Sequence, residues 1–419
     1  RSGTIRLEHA NALGSKSLNW ENDGTIELGV NGVTISNGAP IANRNSATDG
    51  KRRYRLDLAG SNTGTISGNF DIRMNGVTFD VGADDTLTLS GTIYNGGGAG
   101  SWEKTGSGTL VLTGATNTAS GTTTISAGTV QIGSGGTSGT LNSSNVANSG
   151  TLVFNRSDAI TVSNAIYGTG ALTQNGSGTT TLTGNNSYTG VTTINAGTLE
   201  IGAAGRLGAG SYAQNISNNG TFIYSGTNAQ TLSGVISGTG GLTQNGTGTM
   251  TLTGANTYSG ETRIQIGTLD FQHNDAFGSS LVNLATDGGG TQVLAFGANG
   301  LNLSNNVQIS NQAGNKAISL DLAGTNTGTL SGQLDIRRSG AGDFDIDVGT
   351  DDTLTVSGTI VTLSAGGAGI TKEGAGTLVL TGSNTYSGGT TLNAGTIQIG
   401  AGGTTGSLST SSSITNNGR

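Results

Sequence analysis

Residues Ile370 to Gly400 read ITKEGAGTLVLTGSNTYSGGTTLNAGTIQIG, and this stretch decides the fold. Its apolar residues alternate with polar ones, at Leu378 and Leu380 and again at Ile397 and Ile399. A period of two indicates β-strands, because successive side chains of a strand point to opposite faces. Glycine-containing turns separate the runs, so the stretch is predicted to form several short strands.

The same pattern returns four times, at residues 102–133, 172–202, 242–271 and 370–400. Self-similarity of this kind predicts a repeat architecture, in which each unit contacts mainly its neighbours. A second level of order lies above the first: segments 1–101 and 272–369 are copies of each other, as LDLAG at 56–60 and again at 320–324 shows. We therefore expect residues 1–419 to form one continuous object, cut from a longer array.

The composition supports an all-β chain and excludes several classes of function. The sequence holds 77 Gly but 1 Pro and no Cys, and Thr, Ser, Asn, Val, Ile and Leu fill the segments between glycines. The net charge of −7 with only 10% charged residues argues against a nucleic-acid partner, which needs a basic face. No run of about 18 apolar residues is present, so this segment is not expected to insert into a membrane as a helix.

A repeat protein that consists of strands without helices can bury its apolar faces in only a few ways. A propeller needs blades of regular size, and the unequal spacing of Gly114, Gly184, Gly254 and Gly382 fits that poorly. A parallel β-helix accepts unequal segments, because extra residues bulge from a corner or add a coil. The prediction is a single right-handed parallel β-helix without significant helix, the hand following that of parallel crossovers.

The segment Gly374 to Gly400, with its Gly-Thr-Leu-Val-Leu-Thr-Gly-Ser-Asn-Thr-Tyr-Ser-Gly phrase, resembles the autotransporter-associated β-strand repeat, also called the passenger-associated transport repeat. The resemblance covers the four copies, and the turns His9–Gly14 and His273–Gly278 are similar to the turn that often follows such a repeat. It implies a passenger region of a type V secretion protein of a Gram-negative bacterium, exported through the outer membrane to the cell surface or beyond. A membrane barrel is then expected elsewhere in the parent chain.

Clustered aspartates are the first candidates for chemistry. The candidate Ca²⁺ ligands are Asp343, Asp345, Asp347, Asp351 and Asp352. The alternative is structural: the Asp84-Asp85 and Asp351-Asp352 pairs recur once per long segment, as turn residues that accept backbone N–H groups would. No catalytic residue and no cofactor is expected.

Two sets of residues are candidates for ligand binding. Tyr188, Tyr258 and Tyr386 hold equal positions in three copies, so they form either an exposed row that stacks on sugar rings or plugs that shield the core. Arg44, Arg52 and Arg53 belong to the one basic cluster, which either contacts anionic glycans or lies in a solvated loop.

These features favour a non-catalytic passenger segment at the bacterial surface that acts as a rigid stalk or adhesin. Repeated outer faces would give many weak contacts with a cell-surface or abiotic ligand, including glycans. Two alternatives stay open: a self-associating extracellular fibre or biofilm protein, and a β-helical enzyme that acts on polysaccharides.

Overall fold

The computed structural model describes the following residues: 3–10, 12–13, 19–20, 24–36, 41–43, 52–72, 76–97, 100–141, 144–285, 290–309, 316–337, 344–363, 368–409 and 413–418. They form two compact units, unit 1 (Arg1–Leu199 with Gly205–Ala209) and unit 2 (Glu200–Ala204 with Gly210–Arg419). Each unit is a parallel β-solenoid, which confirms the predicted fold class. Its handedness and its continuity as one object stay predictions.

Unit 1 is a three-sided coil in which the chain visits three parallel sheets in turn. Side A contains β1 (Gly3–Leu7), β3 (Gly24–Leu28), β6 (Arg52–Leu56), β9 (Val77–Val81), β12 (Trp102–Thr105), β14 (Thr123–Ile125), β16 (Asn145–Asn148) and β19 (Ala165–Tyr167). Side B contains β4 (Val33–Ile35), β7 (Thr63–Ile66), β10 (Thr86–Leu89), β13 (Thr109–Leu112), β15 (Thr129–Ile132), β17 (Thr151–Phe154), β20 (Ala171–Gln174) and β22 (Thr192–Ile194). Side C contains β2 (Asn19–Trp20), β5 (Ile41–Asn43), β8 (Phe70–Ile72) and β11 (Ile93–Tyr94), and after an interruption β18 (Ile160–Val162) and β21 (Thr179–Leu182).

Unit 2 has the same three-sided plan. Side D contains β26 (Thr221–Gly226), β29 (Gly241–Gln244), β31 (Thr262–Ile264), β33 (Val282–Leu284), β36 (Val307–Ile309), β39 (Leu334–Ile336) and β42 (Ile360–Val361). Side E contains β24 (Ser211–Tyr212), β27 (Gln230–Leu232), β30 (Thr249–Leu252), β32 (Gly267–Phe271), β34 (Gln292–Phe296), β37 (Lys316–Leu320), β40 (Phe344–Val348), β43 (Ile370–Glu373), β45 (Thr390–Leu392) and β47 (Ile414–Asn416). Side F contains β25 (Ile216–Asn218), β28 (Ile236–Ser237), β35 (Leu301–Leu303), β38 (Thr327–Leu330), β41 (Thr353–Val356), β44 (Thr377–Leu380) and β46 (Thr396–Ile399).

Strand β23 (Thr198–Ala203) and a 3₁₀ turn at Gly208–Gly210 span the boundary between the units in the chain. That turn is the only helical element among the described residues. The prediction of no significant helix is thereby confirmed for them.

The core is built from equal side chains stacked in register. On side B, Leu87, Leu110, Val130, Leu152 and Leu172 align on successive strands, and each is fully buried. Burying one such side chain contributes about 1.5–3 kcal/mol. Because every coil adds residues to the same rows, the solenoid stabilises itself along its whole length without a wide core.

Glycine is needed where the corners of successive coils touch. A Cβ on Gly150 would lie 2.4 Å from the carbonyl oxygen of Gly128, and a Cβ on Gly170 would lie 2.4 Å from that of Gly150. Gly108 and Gly190 extend the same column below and above. The corner backbones are therefore packed too closely for any larger residue.

Each repeat copy places its strands on only two of the three sides. In the first copy β12 and β14 lie on side A and β13 and β15 on side B, so its Gly-Ala-Thr-Asn corner (114–117) covers side C. In the second copy β20 and β22 lie on side B, and the corner covers side A. Unit 2 repeats this step, since the corner of the third copy covers side F and that of the fourth covers side D. Within each unit, the interruption thus moves one side round the coil from copy to copy.

Candidate functional surfaces

The corner asparagine of each copy, in Gly-x-Asn or, in the first copy, Gly-Ala-Thr-Asn, is a buried clamp between coils. Its Oδ1 accepts the N–H of an isoleucine on the preceding coil, at 2.9 Å for Asn117 and Ile93 and at 2.7 Å for Asn256 and Ile236. Asn186 and Asn384 make the same bond. This role was not predicted from the sequence, although the asparagine is present in all four copies.

The three repeat tyrosines are not at the surface. Tyr188, Tyr258 and Tyr386 have no exposed area, and each hydroxyl is hydrogen-bonded to the threonine four residues later. Burial raises the pKa of Tyr258 above its ordinary value. Of the two alternatives for these tyrosines, the buried plug describes them and the exposed row does not, because the rings lie inside the core at the corners.

The second aspartate of each Asp-Asp pair is a buried turn residue. Asp352 accepts the N–H of Leu322 at 3.0 Å and two N–H groups of Asn326, from the main chain and the side chain, at 2.9 Å each. Asp85 makes the corresponding bonds to Leu58 and Asn62. Both oxygens of each carboxylate are thus occupied by the preceding coil.

The other Ca²⁺ candidates do not converge. Asp351 is exposed in a left-handed conformation with φ 66°, and Asp345 and Asp347 lie in β40 with half-buried side chains. Burial, and next the charge of Asp321, raise the pKa of Asp347. Asp343 lies outside the described residues. No group of three or more metal-ligating side chains occurs within the described part of the chain.

The basic cluster is balanced by acidic residues in the part that the structure describes. Arg53 Nη1 and Arg55 Nε each lie 3.8 Å from Asp80 Oδ2, although Asp80 is distant in sequence. Arg55 also pairs with Asp57, and that hydrogen bond is the main cause of its raised pKa. Arg44 and the side chain of Arg52 lie outside the described residues.

The outer faces carry ladders of equal hydroxyl groups. On side B of unit 1, five threonines align at the first position of successive strands: Thr63, Thr86, Thr109, Thr129 and Thr151. On side F of unit 2, four threonines align in the same way: Thr327, Thr353, Thr377 and Thr396. Their side chains are exposed or half-buried, and adjacent strands lie about 4.8 Å apart. Each unit therefore offers a regular row of identical polar groups.

One cavity opens through the corner of the first copy. It has a volume of about 410 Å³, and its apolar lining includes Ile132, Phe154, Ile160 and Val162. A polar groove of about 400 Å³ and a more apolar groove of about 350 Å³ lie near the corner of the third copy, where they share Gly278 and Ser279. Among the described residues, these three concave sites lie at or beside corners, which the sequence predicted only as turns.

Comparisons with known proteins agree with this architecture. A family model described as the passenger-associated-transport-repeat matches residues 103–132, 172–201, 242–271 and 370–399. The chain is 35% identical over 414 residues to the adhesin BmaC autotransporter of Brucella suis biovar 1 (strain 1330). The alignment covers 89% of this chain and 11% of that protein, so the chain spans about a tenth of its relative's length. No solved structure matches the chain significantly.

Among the described residues, no helix has the length and apolar character needed to cross a membrane. The four matched repeats lie on two parallel β-solenoid units, and the relative that aligns with nearly all of this chain is an autotransporter adhesin. The four repeats and this relative together support an autotransporter passenger region.

Proposed function

We propose that this passenger region acts at the bacterial surface as a non-catalytic adhesin segment, and that it binds through its outer faces. The observation that carries the proposal is the pair of threonine ladders, one in each unit. Threonine is stiff at χ1, so each hydroxyl and methyl group is presented in a nearly fixed direction. A ligand with a repeating structure, such as a glycan or an abiotic surface, meets the same contact at each strand.

Single contacts of this kind are weak, and their number gives the binding strength. Linking many sites makes each later contact intramolecular, which raises avidity by about 10²–10⁴-fold. The solenoid also serves as a stiff spacer in this proposal, because each coil is held to the next by a continuous set of strand hydrogen bonds. A non-catalytic role is supported by Asp85 and Asp352, whose carboxylate oxygens are committed to turn N–H groups.

The test measures the adhesion, under flow, of beads coated with the parent chain or with a variant. The surfaces are immobilised glycans, extracellular-matrix protein and polystyrene. The triple variant Thr109→Lys, Thr129→Lys, Thr151→Lys disrupts one ladder, whereas Thr189→Lys, Thr227→Lys, Thr239→Lys adds the same charge at exposed threonines outside it. We expect the ladder variant to lose adhesion to at least one surface and the control to keep it. Equal adhesion of both variants would contradict the proposal, and adhesion that appears only with concentration-dependent sedimentation would favour a self-associating fibre.

A further inference from the structure

The two grooves near the corner of the third copy meet at Gly278 and Ser279 and form one recess, here called the side F recess. On side F, β28 ends one sheet and β35 begins the next, and the corner and the turn that follows it fill the gap. The N–H of Ser279 in the turn donates to the carbonyl of Tyr258 in the corner at 3.2 Å. Nδ2 of Asn305, just after β35, donates to the carbonyl of Gly278 at 3.0 Å. The recess thus runs along the coil axis, from the corner across the turn to the end of β35.

Ser304 lines the recess with two unpaired donors. In the next coil the N–H of the equivalent Ser331 donates to the carbonyl of Leu303 at 2.9 Å, and Ser357 repeats this bond on the coil after it. Ser304 follows the first strand of its sheet, so it meets the turn where its equivalents meet a strand. Its main-chain N–H and its hydroxyl have no hydrogen-bond partner among the described residues. The interruption of the sheet therefore leaves both groups available to a ligand.

Three further neutral side chains line the recess and are exposed: Thr257, Ser279 and Asn306. The hydroxyls of Thr257 and Ser279 have no hydrogen-bond partner in the part of the chain that the structure describes. Asn306 uses its Oδ1 to accept the N–H of Gln333 at 3.0 Å, and its Nδ2 is unpaired among these residues. Hydroxyl and amide groups both donate and accept, so the lining suits a ligand that is itself rich in hydroxyl groups.

Asp275 adds a carboxylate that selects against anions. Its main-chain N–H donates to Nδ1 of His273 at 3.0 Å, which holds the turn, while its side chain is 71% exposed. The carboxylate lies 3.8 Å from the same Nδ1, which is too long for a hydrogen bond. No lysine or arginine occurs in the described lining of the recess. The carboxylate can therefore accept hydroxyl groups, but it repels an anionic sugar.

Two apolar side chains lie beside the polar groups. Leu281 is 38% exposed in one groove, and Ala255 is exposed in the other. A pyranose ring carries hydroxyl groups along its edge and apolar C–H groups on its faces, so it matches a lining of this mixed kind. The volumes of about 400 and 350 Å³ are within the range of small-ligand sites, and two grooves side by side suit successive sugar units.

An extended peptide suits the recess less well than a saccharide. A peptide that adds to a sheet uses a row of free main-chain groups on the edge strand. On β35, the N–H of Asn302 is already taken by Oδ1 of Asn274 at 2.8 Å, which interrupts such a row before Ser304. The groups that stay available in the recess are mainly those of side chains.

We propose that the side F recess is a binding site for a neutral oligosaccharide. Sugar hydroxyls donate to the carboxylate of Asp275 and accept from the main-chain N–H of Ser304 and from Nδ2 of Asn306. The C–H faces of the sugar rings pack on Leu281 and Ala255. The site lies at the interruption of the sheet, away from the rows of the threonine ladders, and does not depend on the adhesion proposed above.

The probes are the neutral disaccharides maltose, cellobiose, lactose and N,N′-diacetylchitobiose, and the acidic disaccharide digalacturonic acid. Each is titrated into the whole chain and followed by saturation-transfer difference NMR. We expect saturable binding of at least one neutral disaccharide with a Kd of about 1 mM, and binding of digalacturonic acid at least about tenfold weaker. Asp275→Asn should narrow this difference, because it removes the carboxylate that repels the acidic sugar.

The variant Ser304→Leu fills the recess from an exposed corner position, and Ser357→Leu makes the same change at an equivalent exposed corner outside it. We expect Ser304→Leu to weaken binding of the neutral disaccharide at least about tenfold and Ser357→Leu to leave it unchanged, with the circular dichroism of the parent chain in both. The preference measured with Asp275→Asn reports on the site even if Ser304→Leu disturbs the coil.

Four results would overturn the proposal: no saturable binding of any neutral disaccharide, equally tight binding of digalacturonic acid by the parent chain, an unchanged preference in Asp275→Asn, or equal binding by the two serine variants. The ladder variant should bind the disaccharide normally even if it loses adhesion. The two proposals therefore fail separately.

Discussion

The hydroxyl of Tyr188 lies 2.7 Å from Oγ1 of Thr192, and neither side chain has any exposed area. In the first copy Ala119 replaces the tyrosine, and Thr123 occupies the place of Thr192. Oγ1 of Thr123 is buried without a hydrogen-bond partner among the described residues. Trp102 aligns with Thr123 where Leu172 aligns with Thr192, so the strand next to this threonine carries the larger side chain in the first copy.

This difference predicts opposite effects for the same substitution in two copies. Thr123→Val removes a buried hydroxyl that lacks a partner, and should raise the free energy of unfolding by about 1 kcal/mol. Thr192→Val removes a bond to Tyr188 and should lower it by about 1 kcal/mol. Urea denaturation followed by circular dichroism measures both, and effects of the same sign would contradict the assignment.

A second prediction concerns the buried Lys104. Its Nζ donates to the carbonyls of Thr105 and Gly106 at 2.7 and 2.8 Å, and burial lowers its pKa from 10.5 to about 8. The unfolded chain then holds the proton between these two pH values while the folded chain has lost it. The free energy of unfolding should therefore rise by about 3 kcal/mol from pH 8 to pH 10.5 on account of this group.

Lys104→Gln is the matched substitution, since Gln174 and Gln244 hold this position in the second and third copies and donate to the corresponding turn carbonyls. The variant should lack this part of the rise. Urea midpoints at pH 7, 8, 9 and 10 provide the measurement. A slope as steep as that of the parent chain would show that Lys104 does not cause it.

A third prediction tests the glycine column. Gly150→Ala places a methyl group 2.4 Å from the carbonyl oxygen of Gly128, so the coils must move apart, at a cost of about 3 kcal/mol or more. Gly136→Ala is the control, because a Cβ there has open space around it. Thermal unfolding of the two variants compares them, and equal midpoints would argue against close corner packing.

The fourth prediction separates a turn role from a metal role for the aspartate pair. Asp352→Asn replaces an acceptor of N–H bonds by an amide, and should lower the free energy of unfolding by about 1–3 kcal/mol. Asp351→Asn, at the exposed left-handed position, should change it by less than about 0.5 kcal/mol. Calcium and EDTA should leave the melting temperature of the parent chain unchanged, and a calcium-dependent shift lost in Asp352→Asn would favour a metal site.

Much of the fold followed from local patterns. The alternation at Leu378 and Leu380 predicted strand positions on one face, and both side chains are buried, while the recurrence of glycine corners predicted coils. Such periodic patterns involve residues that are close together in the chain, so they can be recognised in a single sequence.

Features that depend on neighbouring coils could not be read in the same way. The charge of Arg53 is balanced by Asp80, which lies on another coil. Tyr258 can be a buried plug because its hydroxyl is bonded to Thr262, which in turn is bonded to Ser280. These relations lie across coils, where sequence spacing varies with the length of the corner.

The shift of the interruption from one side of the coil to the next has a mechanical consequence. Within a unit, two successive repeats never break the same sheet, so wherever one side lacks a strand the other two remain bonded across the gap. An axial load is thereby carried by at least two sheets at each level of a unit, and the interruptions lie at different levels. A corner can thus interrupt one sheet at each repeat without interrupting the other two at the same level.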